Sequence, residues 1–438
     1  MLRKILPLLV LLLSVPGLQA RYKAVEFRLK NGLRVVCVEK KTSPIVHFSI
    51  CYMCGSSRDA ASRSGVAHYL EHMAMASNKG KSKDFLEDIG AEHNAFTSLR
   101  AISFYEIVPL AHVETVFSHE AERMRSMDID DGEFLGERGA ILEERSMRID
   151  NEPNGAAQEA LLANLFNREA GGTPIIGWKH EIESIEKKDL YAFHRKWFAP
   201  NNAFVVIAGD FDLPQAKALA EKYFGDIAPK KLPIRRGGIL KNQFIKEVKY
   251  GSQKTGAFSC ICYVYGVPFT SKNNFRKSMA LGLAIKIMNQ PAFFVTKTLK
   301  HVLNIVTDVS FVYLSGIYPT DFVGVSISCG SLDDLADSIG EWRYLRSKLM
   351  RVGISDGELK IMKRKEMIAQ AYRMDDLGHM ASHFGWLLLS GYSLQEILSM
   401  DEILQSITAR ECNDVIREVF SVQPMAISKI VPKGYDRE

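Results

Sequence analysis

The apolar positions along the chain fall into short β-rich runs and longer helical stretches, and their order predicts an α+β fold. Val25 to Glu39 holds two alternating runs around Asn31-Gly32, a dipeptide that favours the tight turn of a β-hairpin. His47 to Tyr52 reads as a third strand. Ser64 suits the N-cap of a helix running to about Ala76, a second helix runs from near Asp84 to just before Gly90, and Asn94 to Val108 returns to strand. Helical periodicity then occupies His112 to Met127, Glu133 to Ile149 and Ala156 to Asn167, before a loop with Gly171, Gly172 and Pro174. Lys188 to Trp197 is helical, and Phe204 to Ala208 is a buried strand ended by Gly209-Asp210. Strands and helices mix without the strict alternation of a doubly wound parallel sheet.

Near the midpoint, Ala228 to Gly238 combines Pro229, Pro233 and a glycine pair with Lys230, Lys231, Arg235 and Arg236, the composition of a solvated linker. Beyond this linker the chain restarts the pattern of its first half. Ile50-Cys-Tyr-Met-Cys-Gly55 is echoed by Ile261-Cys-Tyr-Val-Tyr-Gly266, and a helical segment, Arg276 to Met288, again comes after it. The expected organisation is a leader over residues 1–20, an N-terminal domain over 21–227, a linker over 228–240 and a homologous C-terminal domain over 241–438.

Composition narrows the class. With 438 residues, 47% hydrophobic and 24% charged, the chain has the make-up of a folded protein of two or three domains. A net charge of +5, part of it from Arg3 and Lys4, lacks the concentrated basic face of a nucleic-acid binder. Arg3 and Lys4 precede the apolar run Ile5 to Leu13, then Pro16, Gly17 and a small residue at Ala20, the pattern of a secretory signal peptide. That run is too short to span a bilayer, so export without stable membrane insertion is expected. Seven cysteines are too few for a disulfide-built scaffold, and Cys51 and Cys54, three apart on a strand, face opposite sides, which argues for core packing over redox chemistry.

The stretch that carries chemistry is Gly65-Val-Ala-His68-Tyr-Leu-Glu71-His72-Met73, placed on a helix. Two imidazoles four apart share a helical face and can aim at one divalent ion. Glu71, three residues after His68, sits beside that site, within reach of a water there. The order H-x-x-E-H inverts the H-E-x-x-H motif of zinc proteases. A catalytic zinc takes three protein ligands and leaves one position open. The Glu133 to Ile149 helix supplies candidates for the third: Glu137 and Glu144 lie nearly on one face, and Glu143 is rotated from Glu144 by about 100°. Displacing His68, Glu71 and His72 by the interval from Ile50 to Ile261 lands on Met279, Gly282 and Leu283, so the second half is expected to hold no metal.

These residues resemble the M16 family of zinc peptidases, pitrilysin-like and mitochondrial-processing-peptidase-like, most closely its short bacterial form. The likeness extends over Leu29-Lys-Asn-Gly-Leu-Arg-Val-Val36, Gly55-Ser-Ser-Arg-Asp59, Gly90-Ala-Glu-His-Asn-Ala-Phe-Thr97, Glu137-Arg138 with Ile141-Leu-Glu-Glu144, Pro174 to Ile185, and Trp197 through Asp212. It is strong over residues 25–227 and weak afterwards. The resemblance implies two α/β-sandwich domains and one Zn2+ per chain on His68, His72 and Glu144. It further implies Glu71 as general base, Glu137 as accessory acid, and peptide binding by strand addition at Asn94, Ala95 and Phe96. A slightly short interval between motif and glutamate points to a trimmed loop near Ser77 to Ser82. Related second domains carry an Arg and a Tyr that hold substrate, and Asn289 to Thr298 shows neither in an obvious position. That absence points to an oligomer, a homodimer or a heterodimer with a zinc-free subunit. The expected function is a zinc-dependent endopeptidase acting on peptides or small unfolded polypeptides, in an exported compartment such as a bacterial periplasm. A catalytically silent scaffold subunit and a peptide-binding module with a structural zinc are the competing readings.

Overall fold

The structure is a computed structural model, and it describes residues 23–76, 83–166, 171–233, 246–252, 259–270, 273–316, 318 and 320–432. The leader, the loop at 77–82 and the linker from residue 234 onward lie outside the described residues.

The first sheet joins β1 (Lys23–Arg28), β2 (Arg34–Glu39), β3 (Ile45–Tyr52), β4 (Glu92–Thr97), β5 (Ile102–Pro109) and β6 (Ala203–Gly209) in the order β1-β2-β6-β3-β5-β4. The second joins β7 (Lys246–Ser252), β8 (Ser259–Gly266), β9 (Asp308–Leu314), β10 (Phe322–Cys329) and β11 (Ala426–Pro432) in the order β7-β11-β8-β10-β9. Dropping β1, the two orders coincide strand for strand, with one parallel pair in each, β2 with β6 and β7 with β11. The repeat suggested by Ile50 and Ile261 is therefore a repeat of topology. The α+β class and the two-unit architecture are as expected.

The helices of the first half are α1 (Val66–Ala76), α2 (Lys83–Asp88), α3 (Val113–Arg125), α4 (Asp131–Arg145), α5 (Pro153–Phe166), α6 (Lys179–Ser184), α7 (Lys187–Trp197) and α8 (Leu213–Phe224). Val35, Cys37, Val46, Phe48 and Ile50 point into one core with Tyr69, Leu70, Phe117 and Trp197 of the helices laid over that face. The alternate positions Val36, Val38, Cys51, Val206 and Ala208 point the other way, where a C-terminal helix, Leu377–Leu389, covers them with Met380, Phe384 and Leu388. The exchange is reciprocal. Helix α5 leaves the first half and packs on the second sheet, with Leu161, Leu165 and Phe166 against Val264, Phe322 and Ala426. Each sheet is thus covered on one face by its own helices and, over part of the other, by a helix from the opposite half.

Two local expectations are corrected, and a third, the helix to Ile149, holds with a change of helix type. Asn94 to Val108 is a hairpin and not one strand, because Ser98 N–H closes a turn onto Ala101 O at 2.8 Å. Ser64 is not the cap of α1. Its hydroxyl accepts from Trp178 N–H at 2.8 Å, and the carboxylate of Asp59 takes the free N–H groups of Gly65 and Ala67 at 2.8 and 2.9 Å. Helix α4 ends at Arg145 and passes into a widened turn over Ser146–Asp150. All seven cysteines are free, and all but Cys262 are buried, as core packing requires.

Candidate metal centre

Helix α1 is anchored before it presents its histidines. Asp59 fixes its first turn, and Gly65, at φ +88°, lies so close to Gly177 that a Cβ on either would stand within 2.6 Å of the other segment's backbone. Tyr69 stacks on Phe134 of α4 with ring centroids 4.9 Å apart, and its hydroxyl donates to Phe134 O. These contacts set α1 against α4 with His68 and His72 facing Glu144.

One carboxylate oxygen of Glu144, Oε2, stands 3.5 Å from His68 Nε2 and 3.4 Å from His72 Nε2. The three donor atoms lie within 4.8 Å of one another. Two ligand atoms bound to one zinc at the tetrahedral angle stand about 3.4 Å apart, so the spacing is too wide for strong hydrogen bonds and suits a shared ion. Burial, followed by the charges of His72 and Arg148, holds His68 down to about pKa 3, so its imidazole is neutral at pH 7 and has a lone pair to give. The donor set of two nitrogens and one carboxylate fits zinc.

Around these three stand the supporting groups. His72 Nδ1 meets Glu137 Oε2 at 2.9 Å, the carboxylate partner expected behind a ligating histidine. His68 Nδ1 is buried without such a partner. Arg148 reaches the second oxygen of Glu144 at 2.6 Å, one helical turn further on. Glu71 lies beside the histidines and accepts from Thr97 Oγ1 at 2.8 Å, and burial raises its pKa above the usual carboxylate range. Glu143, the rotated neighbour, is exposed to solvent.

Strand β4 is the free edge of the first sheet. Thr97 and Ala95 face α1, whereas Asn94 and Phe96 are exposed, Phe96 to 45%. Asn94 folds its side-chain oxygen back onto Ala95 N–H at 2.8 Å. The cleft along this edge has a volume of about 720 Å³ and is bounded by α1, β4, α4, α5, the 171–176 loop and Tyr318. Among the described residues Tyr318 is the contribution of the second half, and no residue of 289–298 lines the cleft. Asn289 instead clamps the backbone of Phe311 through two hydrogen bonds of 2.7 and 2.9 Å. Sequence reasoning missed Thr97, Arg148 and Tyr318. The i,i+4 spacing of Glu144 and Arg148 was a readable signal, whereas the other two depend on packing between distant segments.

Among the described residues one other group has metal-like geometry, Glu106 with His119 and Glu120. Arg123 already fills it. Its guanidinium pairs with Glu120, lies 3.5 Å from Glu106 and 3.0 Å from His119 Nε2. No such group occurs among the described residues of the second half. Met279, Gly282 and Leu283 there sit on the helix Phe275–Met288.

Comparison with known proteins agrees with this geometry. Residues 34–178 match the family model described as insulinase, peptidase family M16, and residues 184–365 match that of the peptidase M16 inactive domain. The zinc protease PqqE of Helicobacter pylori is 32% identical over 237 residues, 52% of this chain and 51% of that one, so this chain spans about half the length of that relative in the match. The mitochondrial-processing peptidase subunit beta of Blastocladiella emersonii is 25% identical over 96% of this chain and 90% of its own. Among solved structures, a protease from Helicobacter pylori superposes with a TM-score of 0.83 at 21% identity, covering 94% of this chain and all of that one. The two matched family models, the paired sheets and the histidine-bearing helix agree: this chain belongs to peptidase family M16.

Proposed function

We infer that the protein is a zinc-dependent endopeptidase that hydrolyses peptides or small unfolded polypeptides. The observation that carries this reading is the convergence of His68 Nε2, His72 Nε2 and Glu144 Oε2 on one point, with Glu71 beside it and an open cleft in front. His68, His72 and Glu144 would hold one Zn2+, which when bound activates water near neutral pH and polarises a carbonyl. Glu71 takes a proton from the attacking water at its carboxylate and returns it to the leaving amine. Thr97 orients that carboxylate, and its buried setting favours the protonated form in which it passes the proton on. Glu137 acts through His72 and is a positioning residue, and Arg148 does the same for Glu144. The free edge of β4 would take an extended peptide by strand addition, with Asn94 swinging away from Ala95 N–H as the substrate backbone replaces it.

The family model that bears the word inactive concerns residues 184–365, and the whole candidate centre lies outside them. We further assign the chain to an exported compartment from its leader, with a second copy or a zinc-free relative as partner. Among the described residues no helix is long and apolar enough to cross a membrane. The direct test is hydrolysis of a quenched peptide library by the wild type and by Glu71→Gln. Cleavage that stops with a chelator, returns with zinc and falls at least about 100-fold in Glu71→Gln is expected. Cleavage that survives both treatments would sink the mechanism.

A further inference from the structure

The helix from the second half does not fill the face of the first sheet that it covers. Leu377–Leu389 packs on the strands with Met380, Phe384 and Leu388, while the next flank of the helix carries the small residues Ala381, Ser382 and Gly385. Beside that flank, over β3 and β5, a cavity of about 210 Å³ remains. Gly385 lies inside the helix, where glycine is destabilising relative to alanine, and no heavy atom stands within 4 Å of where its Cβ would be. A larger side chain at that position would occupy the space.

Alternation along the strands decides what faces this cavity. His47, Ser49 and Cys51 of β3 and Ser103 and Tyr105 of β5 point to its side of the sheet. Aromatic rings dominate the lining: His47 stacks on Tyr105 with centroids 5.4 Å apart, and Phe204, Phe96 and Trp386 complete the wall. Phe96 and Trp386, 45% and 42% exposed, mark where the cavity meets solvent. The hydroxyls of Ser49 and Ser103 turn to the carbonyl oxygens of Val206 and Ile50, at 3.5 and 3.4 Å. Burial pushes the Cys51 thiol up to about 12, so it stays protonated and acts as an apolar wall. His47 is different. It is 2% exposed, and its Nδ1 has no hydrogen-bond partner outside its own residue. Burial also keeps the ring neutral, with a pKa of about 4, and a buried polar atom costs free energy until something bonds to it.

We propose that this cavity is a binding site for a free small molecule, an uncharged bicyclic aromatic compound of about the size of indole, whose single N–H or O–H donates to His47 Nδ1. The site goes beyond the peptidase reading and does not depend on it. Its size sets the ligand's size: an apolar protein cavity of ~150 Å³ takes benzene, so about 210 Å³ has room for a second fused ring. An α-helix with its side chains, about 10 Å across, does not enter such a space, which excludes a helix of a partner protein. The ligand is uncharged because none of the described lining residues is charged. It is flat and aromatic because the walls are rings, which pack best against other rings. Its donor follows from Nδ1, which accepts when the ring proton sits on Nε2.

The test is isothermal titration calorimetry of the full chain with indole and with benzofuran, which has the same shape and no donor. The wild type is expected to bind one indole per chain, about fivefold more tightly than benzofuran. Gly385→Leu, which fills the space from the helix, is expected to weaken indole binding at least about tenfold with circular dichroism unchanged. His47→Phe keeps a ring in place and is expected to erase the preference for indole over benzofuran, a ratio that altered packing alone does not move. No saturable heat up to millimolar indole, or equal indole affinity in the wild type and Gly385→Leu, would overturn the proposal. Equal affinity of the wild type for the two ligands would also overturn it, whether or not the leucine variant folds. Displacement of indole from Glu71→Gln by a phenylalanine-containing peptide would give the cavity to a side chain of the substrate and overturn it as well. Binding is read without zinc or turnover, so a failure of the zinc centre leaves these outcomes unaffected.

Discussion

Each polar group at the candidate centre has a distinct task, and the distances separate them. Glu144 uses one oxygen toward both histidines and gives the other to Arg148, whereas Glu137 touches only the far nitrogen of His72. Glu137→Ala is therefore expected to weaken zinc affinity about 10- to 100-fold while activity at saturating zinc largely recovers. Zinc titration against a competing chelator, followed by assay in excess zinc, measures both. Activity that stays lost at saturating zinc would give Glu137 a direct part in the chemistry. At this scale the sequence was highly legible, because helical spacing alone places His68, Glu71 and His72 together. The residue reading left Glu137, Glu143 and Glu144 open, and only the contact between α1 and α4 separates them. Thr97 was out of reach, since nothing local ties a strand-end threonine to a glutamate 26 positions earlier.

At the scale of elements, the first half depends on charged groups sealed between α3 and β5. Glu106 and Glu120 are almost fully buried with Arg123 between them, and the guanidinium also lies over the Phe104 ring at 4.2 Å. Burial and the neighbouring Glu120 drive the Glu106 carboxyl well above the usual range. Arg123→Met leaves two carboxyls without their cation and is expected to cost about 3–5 kcal/mol, read as a lower urea midpoint. A shift below about 1 kcal/mol would mean the pair is satisfied in some other way. Element boundaries were legible to within a few residues, but their ends were not always set by the nearest capping residue. Ser64 has the right chemistry and position for a cap, yet the loop from Gly55 brings Asp59 to those N–H groups first, and Ser64 turns to Trp178. The Asn94 to Val108 stretch read as one strand because the turn at Ser98 contains neither Gly nor Pro.

For the whole molecule, the echo between Ile50 and Ile261 was a faint trace of a complete topological repeat, since two sheets share one strand order at little sequence identity. The exchange of α5 and the Leu377–Leu389 helix between halves was not legible, because a helix pattern shows which face is apolar and not which sheet receives it. Burial of histidines across both halves has a consequence for pH. His47, His119, His194 and His383 are each held near pKa 4 against an ordinary 6.5, chiefly by burial. The unfolded chain takes up these protons near 6.5 and the folded chain only near 4, so the stability they give is complete above pH 6.5 and is lost as pH falls from there. Urea midpoints of metal-free protein should accordingly drop steadily between pH 7 and pH 4.5. A flat profile would show that these rings reach solvent or gain partners on protonation.

We propose that His68, His72 and Glu144 form one zinc site per chain. Elemental analysis of purified wild type beside Glu144→Gln tests it most directly. About one zinc per chain in the wild type, falling to a small fraction in the variant while its circular dichroism is unchanged, is the predicted result. No zinc in a folded wild type, or equal zinc in both proteins, would contradict it.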